Sequence, residues 1–407
     1  MLKRTLCFTS PAQLSLKNAQ LVITIKGIPD EVRTVPIEDT GIVIIENQMV
    51  SVTMPLLNEL VDNGVAVILC DKKGMPHAML QNLDANNLQG EFLRNQINVG
   101  EVQKKQLWKQ IIESKISNQA ALLDKLHGTG DILKPLYSNV KSGDVDNREG
   151  IAAKLYWTEL FGKDFFRDRN EDGINSLLNY GYTILRAATA RALVAAGLTP
   201  SLGIFHHNRG NAFPLADDLM EPFRPFVDEI VYNLCEEGKL QLNKDTKFEL
   251  LSCLSCDTYY PKVTRPLQIG LSMTMASLAK CYAGGTEETI IAYPQMSETR
   301  LNAYKIMWIV VMFDLPTVSK KEKHDYAVFR KSLERDGFVM HQYSVYIRFC
   351  ASLESRDVHI KRVKLFMPSK GRLSIITITD KQYSNIINIW GEIEQKVQKK
   401  PVQLEFF

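Results

Sequence analysis

The hydrophobic period of this chain changes along its length, and no single architecture satisfies both periods. The segments TLCFTS, AQLSLKN, QLVITIKG, RTVPIED and TGIVIIEN are short runs of β-branched and apolar residues broken by Pro, Gly, Asn and Asp, the signature of strands and turns. Alternation at Leu14 and Leu16, and again at Val22, Thr24 and Lys26, predicts sheets with one buried face. A short helix follows: Thr53 is placed to cap it, Leu56, Leu57, Leu60 and Val61 form its stripe, and Gly64 ends it before the strand VAVILCD.

Beyond about residue 85 the period becomes helical. GIAAKLYWTELFG puts Ile151, Leu155, Tyr156 and Leu160 on one face and stops at Gly162, while NSLLNYGYTILRAATARALVAAG ends at Gly197 with Pro200 close behind. The stretch AGGTEETIIAYPQMSETRLNAY is polar and has no sustained period, so a linker is expected there. After it, IMWIVVMFD reads as a strand, SKKEKHDYAVFRKSLERDG as a helix and HQYSVYIRFC as a strand. LESRDVHIKRVKLFM follows as a helix, RLSIITIT as a strand, SNIINIWGEIEQKV as a helix and QLEFF as a strand. If FVMHQYSVYIRFC covers two strands, the order is βαββαβ, that of a ferredoxin-like domain. A chain of 407 residues exceeds one ordinary core. The predicted fold is therefore multidomain α+β: an N-terminal β domain over 1–84, an all-helical domain over 85–290, a linker over 291–304 and a ferredoxin-like domain over 305–407.

Charge separates the parts. From Tyr304 onward there are 18 Lys and Arg against 11 Asp and Glu, whereas the rest holds 31 against 35; the basic tail suits a polyanion. Seven scattered cysteines argue against a disulfide framework. Cys253 and Cys256 have CxxC spacing but no second pair to complete a zinc site, so they are expected to pack in a helical domain. No run of about 18 apolar residues suggests a membrane span, and the chain reads as cytoplasmic.

Two segments concentrate groups that could carry chemistry. In DNREGIAAKLYW, Glu149 stands in the first turn of a helix, where it could simply favour the helix dipole. In GIFHHNRGNAFPLADDLMEPFRPFVDEI, two histidines precede Asp217, Asp218 and Glu221. A capped helix start explains the acids but not the histidines. Asp218 and Glu221 share a helical face by spacing, and Pro222 and Pro225 interrupt helical hydrogen bonding directly after it. Carboxylates with an imidazole suit a divalent metal and phosphodiester chemistry. Walker, GxGxxG, GxSxG and HExxH motifs are absent.

REGIAAKLYWTELFG, INSLLNYGYTILRAATARALVAAGLTPSLGIFHHNRGNAFPLADDLMEPFRPFVD and RPLQIGLSMTMASL closely resemble the CRISPR adaptation integrase family of type II systems, over about residues 1 to 290. The resemblance implies a dimerising N-terminal β-sandwich and a helical catalytic domain whose metal site holds Mg²⁺ or Mn²⁺. Glu149, His206 and Glu221 match the family's ligands, with Asp218 a weaker neighbouring acid. His207 does not match. Arg209, Asn211 and Arg224 surround the same loop as candidate phosphate contacts.

The tail is similar to the family of ferredoxin-like bridging proteins that join integrase dimers. IMWIVVMFDLP resembles its first strand, so its metal-nuclease acid would fall on Asp314, although a strand-end acid before Leu-Pro is at least as often a turn cap. Lys320, Lys321 and Lys323 open the following helix and are candidates for the DNA backbone. These families are ordinarily separate chains, whereas here they run together near Met296.

The implied function is CRISPR spacer acquisition, in which short duplexes are joined through their 3′-hydroxyls to a CRISPR repeat by transesterification. Its partners would be double-stranded DNA, both spacer precursor and repeat, an effector nuclease of the same CRISPR system, and further copies of the chain. The expected assembly is a tetramer with two C-terminal domains paired at its centre. The alternatives are a metal-dependent endonuclease acting on branched DNA and a non-catalytic scaffold for duplex DNA.

Overall fold

The computed structural model describes residues 3–25, 32–72, 74–80, 82, 86, 88–168, 171–261, 263–284, 293–296, 307–350, 353–379, 382–383, 386, 388–390, 393–395 and 404–407. The N-terminal strands are β1 (Arg4–Phe8), β2 (Ala12–Lys17), β3 (Gln20–Ile25), β4 (Val32–Pro36), β5 (Thr40–Ile45) and β6 (Ser51–Val52), followed by helix α1 (Met54–Asp62), β7 (Ala66–Cys70) and β8 (Pro76–Leu80). Strands β2, β3, β4 and β6 make one sheet, and β1, β5, β7 and β8 belong to a second. Leu6, Phe8 and Val43 of the second sheet pack with Leu14, Leu21 and Ile23 of the first and with Leu56 and Leu60 of α1. The sheets thus form a sandwich with one helix included. Thr53 is the N-cap residue of α1 but makes no side-chain cap bond.

The opposite face of the second sheet, Cys7, Ile42, Ile44 and Ile68, is buried against the helical domain. Because this sheet is covered on both faces, β5 and β7 read as continuous apolar runs. The helices are α2 (Gln89–Asn98), α3 (Glu101–His127), α4 (Lys134–Tyr137), α5 (Arg148–Phe161), α6 (Ile174–Ala195), α7 (Pro214–Met220), α8 (Arg224–Glu236) and α9 (Lys244–Ser252). After β9 (Asp257–Tyr260) and β10 (Val263–Pro266) comes α10 (Leu267–Tyr282). The antiparallel pair β9–β10 corrects the expectation of an all-helical domain. It is built from Thr258, Tyr259, Tyr260, Val263 and Thr264, β-formers too few to register as a periodic run.

Two further expectations are corrected. In α5 the buried face is Ala152, Tyr156 and Leu160, whereas Ile151 and Leu155 are exposed. The stripe is one-sided, and two aliphatic residues lie beside it. Residues 293–296, expected to be linker, are docked: Gln295 bridges Tyr259, and the Met296 amide donates to Asn118 at 3.2 Å. The remaining linker residues, 291–292 and 297–304, lie outside the described residues. Cys253 is buried in the helical core, as expected, and Cys256 packs partly buried against it.

The C-terminal domain contains β11 (Met307–Asp314), α11 (Lys320–Arg335), β12 (Val339–Gln342), β13 (Val345–Cys350), α12 (Leu353–Phe366) and β14 (Arg372–Thr379). Its antiparallel sheet runs β12-β13-β11-β14. Element order and strand order are those of a ferredoxin-like sheet. FVMHQYSVYIRFC does cover two strands, turning at Ser344 with φ of 60°. Within the expected last helix, β15 (Asn388–Trp390) instead pairs antiparallel with β16 (Ile393–Gln395). Ile389, Trp390 and Ile393 favour a strand, and Gly391 costs a helix about 1 kcal/mol relative to alanine.

The terminal strand β17 (Leu404–Phe406) leaves its own domain and pairs in parallel with β1. Phe407 stacks on Phe8 with ring centroids 5.1 Å apart, and Arg4 pairs with Glu405. A second contact joins the same two domains. Arg348, almost fully buried, reaches Asp39 at 2.8 Å, and Arg362 reaches Glu38 at 2.7 Å and Asp336 at 2.8 Å.

Candidate active site

The site lies where α3, the start of α5, the loop before α7 and the turn after α7 meet. Glu149 is placed by the cap of α5. Asn147 adopts φ of 50° and its side chain accepts from the Gly150 amide, while Asp144 accepts from the amides of Arg148 and Glu149 at 2.8 and 3.0 Å. The first-turn orphan donors are therefore occupied, and the Glu149 carboxylate is left to face inward.

His206 hangs on a loop organised by Asp218. That carboxylate, fully buried, accepts from the amides of Ile204 at 2.7 Å, Phe205 at 3.0 Å and His206 at 3.3 Å, and pairs with His206 Nδ1 at 2.5 Å. The turn requires Gly203: a Cβ there would lie 2.4 Å from the His206 carbonyl oxygen. With Nδ1 committed to a carboxylate, Nε2 is the ring nitrogen left for a ligand, the arrangement common to metal-ligating histidines. The bond to Asp218 also raises the His206 pKa, against the lowering effect of partial burial. Asp218 thus accepts from three backbone amides of the loop as well as pairing with the ring.

Glu221 opens a short 3-10 turn after α7 and is buried. Arg224 pairs with it at 2.9 Å and stacks over the Tyr182 ring at 4.6 Å. Burial would push the Glu221 carboxyl up, but Arg224 and Lys115 hold it below the usual range. Arg224 is thereby engaged with Glu221. Asn211 is likewise engaged, with Asp217 at 2.6 Å and with Arg186. Arg209 is exposed and lines, with Lys104, His206, His207, Asn208 and Pro214, an open cavity of about 450 Å³.

Lys115, on α3, was not singled out from sequence. Its Nζ lies 2.6 Å from Glu149 Oε1 and 2.7 Å from Glu221 Oε2. Burial lowers its pKa, yet the two glutamates more than offset this and raise it, so it is a cation at neutral pH. Lys115 is thus shared between the two carboxylates, at hydrogen-bond distance from each. One helix holds both halves of the site, since Trp108, seven residues earlier, stacks on Phe205 at 4.2 Å and meets His206 edge-on at 5.6 Å. The available signal was a lysine in phase with the buried stripe Leu107, Trp108, Ile111, Ile112 and Ile116.

Among the described residues, the group whose metal-binding atoms all fall within 4.8 Å of one another is Glu38, Asp39 and His359, at the interdomain contact. Arg348 and Arg362 already neutralise those acids. Asp314 ends β11 exposed, and Lys320, Lys321 and Lys323 stand exposed in the first turn of α11, whose N-cap Ser319 forms a capping box with Glu322. No helix of the described residues is long and apolar enough to cross a membrane.

Comparison with known proteins places the chain among CRISPR-associated proteins. The family model described as CRISPR associated protein Cas1 matches residues 6–257, and that described as CRISPR associated protein Cas2 matches residues 307–386. The chain belongs to the Cas1 family and carries a Cas2 domain fused behind it, which places it in CRISPR spacer acquisition. It is 41% identical over 240 residues to the CRISPR-associated endonuclease Cas1 of Neisseria meningitidis serogroup C, covering 58% of this chain and 78% of that protein. It is 46% identical over 109 residues to the CRISPR-associated endoribonuclease Cas2 of Flavobacterium psychrophilum, covering 27% of this chain and 95% of that one. In fold it is similar to a casposase bound to integration product, with a TM-score of 0.62 and 22% identity over 74% of this chain and 96% of the other. It is also similar to a Cas1 protein from Thermotoga maritima, with a TM-score of 0.54 and 16% identity over 70% and 100% of the two chains.

Proposed function

We propose that the chain joins the 3′-hydroxyl ends of short DNA duplexes to a CRISPR repeat by transesterification, at a divalent-metal site made of Glu149, His206 and Glu221. The observation that carries this reading is the convergence of Glu149 and Glu221, from separate elements, on one cation position. The buried carboxylate of Glu221 and the Nε2 of His206, whose other ring nitrogen is held by Asp218, are hard and borderline donors suited to Mg²⁺ or Mn²⁺. When bound, such an ion polarises the phosphoryl oxygen and stabilises the charge on attacking and leaving oxygens.

The chain's own groups do the rest. Asp218 fixes the ring of His206, Arg224 and the cap of α5 hold the two glutamates in place, and Arg209 borders the open cavity as a phosphate contact. In the reaction the incoming 3′-oxygen forms a bond to phosphorus, the bond to the repeat's own 3′-oxygen breaks, and the proton lost by the first is balanced by one gained by the second. The basic C-terminal domain grips the duplex backbone through Lys320, Lys321 and Lys323 without reading bases. Four chains assemble on DNA, with two C-terminal domains paired centrally. Asp314, at an exposed strand end with no converging donor described beside it, serves as a turn residue.

A labelled duplex incubated with a repeat-bearing plasmid, with and without Mn²⁺, tests the reading. Joined, lengthened product that requires Glu149 supports it. Shortened strands alone would favour the endonuclease reading, and retention of function in Glu149→Gln would favour the scaffold.

A further inference from the structure

The position on which the two glutamates converge is filled by a group of the protein itself. Lys115 is buried, its ammonium lies 2.6 Å from Glu149 and 2.7 Å from Glu221, and no other cation bridges that pair among the described residues. The nearby cation Arg224 touches only Glu221 of the two, on the other oxygen, at 2.9 Å. Three features indicate that this ammonium is a provisional occupant. Its single charge is shared between two carboxylates carried by separate elements. The binding atoms of Glu149, His206 and Glu221 are not gathered within 4.8 Å of one another, whereas a single small ion with ligand distances of about 2.1 Å would gather them. Lastly, Lys115 projects from a continuous 27-residue helix, where a flexible four-carbon stem lets the ammonium withdraw while the backbone stays fixed.

Resting on the metal-site reading above, we propose that Lys115 is a positioning residue that occupies the cation seat of the metal-free enzyme and competes with the divalent ion for it. Without a cation, two carboxylates facing one buried position would repel and draw in water or protons. Lys115 prevents that and keeps the α5 cap and the post-α7 turn in register. Metal loading then exchanges an ammonium for the ion, so the site is preorganised but weakened in affinity. Removing the ammonium removes a like charge from the seat and leaves the glutamate repulsion for the metal to relieve; both effects strengthen metal binding.

The experiment uses the full chain and Mn²⁺ alone as the probe. Free Mn²⁺ is followed by electron paramagnetic resonance during titration of wild type and Lys115→Met, and melting temperatures are recorded with and without the ion. The expected result is a Kd at least tenfold lower in Lys115→Met, with a lower metal-free melting temperature and a larger Mn²⁺-induced rise. A merely structural lysine would lower both melting temperatures together and leave Kd unchanged, which overturns the inference, as would weaker binding. Should Lys115→Met fail to fold, acetylation of wild-type lysines read by mass spectrometry decides: Lys115 is expected to be protected without Mn²⁺ and to gain reactivity with it. Unchanged protection rejects the exchange. If wild type takes up no Mn²⁺ at all, the metal reading of the site falls and this inference with it; uptake by wild type with an unchanged variant removes only the role of Lys115.

Discussion

Tyr156 donates a hydrogen bond to Asp228 at 2.7 Å, across 72 residues of sequence, and Tyr182 donates to the other oxygen of the same carboxylate. All three side chains are buried. Tyr156 lies on α5, which carries Glu149, and Asp228 lies on α8, which begins three residues after Glu221. The pair is therefore a tie between the two elements that supply the carboxylates, about two turns below each of them.

Removing a donor or the acceptor of this tie should loosen the site from beneath. Tyr156→Phe is expected to cost about 1–3 kcal/mol, the usual penalty when a buried polar partner is left unmatched. Asp228→Ala should cost more, because two phenols lose their acceptor. Joining should fall in both while Mn²⁺ uptake weakens. Denaturant unfolding measures the first effect and strand-joining gels the second; wild-type activity in Asp228→Ala would exclude the tie from positioning.

Asp228 also sets a pH dependence. Burial pushes its carboxyl up to about 6 from 3.8, with the two tyrosine bonds and Arg224 opposing. A folded value above the unfolded one means that this contribution is fully present below about pH 4 and is lost as pH rises through about 6, with a magnitude on the order of 2–3 kcal/mol. Glu221, held low, acts with the opposite sign: its contribution is present above its ordinary value and is lost as pH falls below it. His206, held high, acts in the same sense as Asp228: its contribution is present below about pH 6.5 and is lost as pH rises beyond that. Asp228→Asn should therefore flatten the melting temperature between pH 4 and 6 relative to wild type. Parallel curves would reject the assignment.

Glu149→Gln, Glu221→Gln and His206→Ala should each abolish joining and leave duplex binding near wild type, since none supplies phosphate affinity. Asp218→Asn should lower metal affinity by roughly 10–100-fold, the usual effect of losing a partner behind a metal-binding imidazole. His207→Ala should be mild. If His207→Ala is the inactive variant and His206→Ala is not, the ligand is one residue away.

Neutralising Lys320, Lys321 and Lys323 together should reduce the salt dependence of duplex binding. Each phosphate contact contributes about −0.9 to the log–log slope. A drop of about 2 or more is expected in titrations by fluorescence anisotropy. An unchanged slope would make this helix start solvated surface.

Deleting residues 404–407 should release the C-terminal domain from the sandwich. The deletion removes the β17–β1 pairing, the Phe8–Phe407 stack, an aromatic pair worth about 0.5–1.5 kcal/mol beyond burial, and the Arg4–Glu405 pair. Faster proteolysis between residues 297 and 306 and a larger radius in solution scattering are expected. A change in neither would mean that the Arg348 and Arg362 contacts suffice.

What was legible in the sequence was whatever depends on neighbours along the chain. Period-2 and period-3.6 patterns located β1 to β5 and β7, the long helix α6 and the βαββαβ order, because alternation and helical stripes are local consequences of which face is buried. Glu149, His206 and Glu221 were legible through extended motifs, and the clustering of acids with histidines was visible without them. The tertiary structure decided what had to come together across the chain. Lys115, Glu149 and Glu221 meet from three elements, and nothing in the sequence around Lys115 records its destination except a charge on an apolar stripe. Asp218, a weaker ligand candidate implied by the resemblance, is the acceptor that builds the histidine loop, a role that its burial and the turn at Gly203 give it. The fate of the tail was equally non-local. Leu404–Phe406 could be recognised as a strand by its composition, but a strand is completed by its partner's hydrogen bonds, and only packing of the two domains supplied β1.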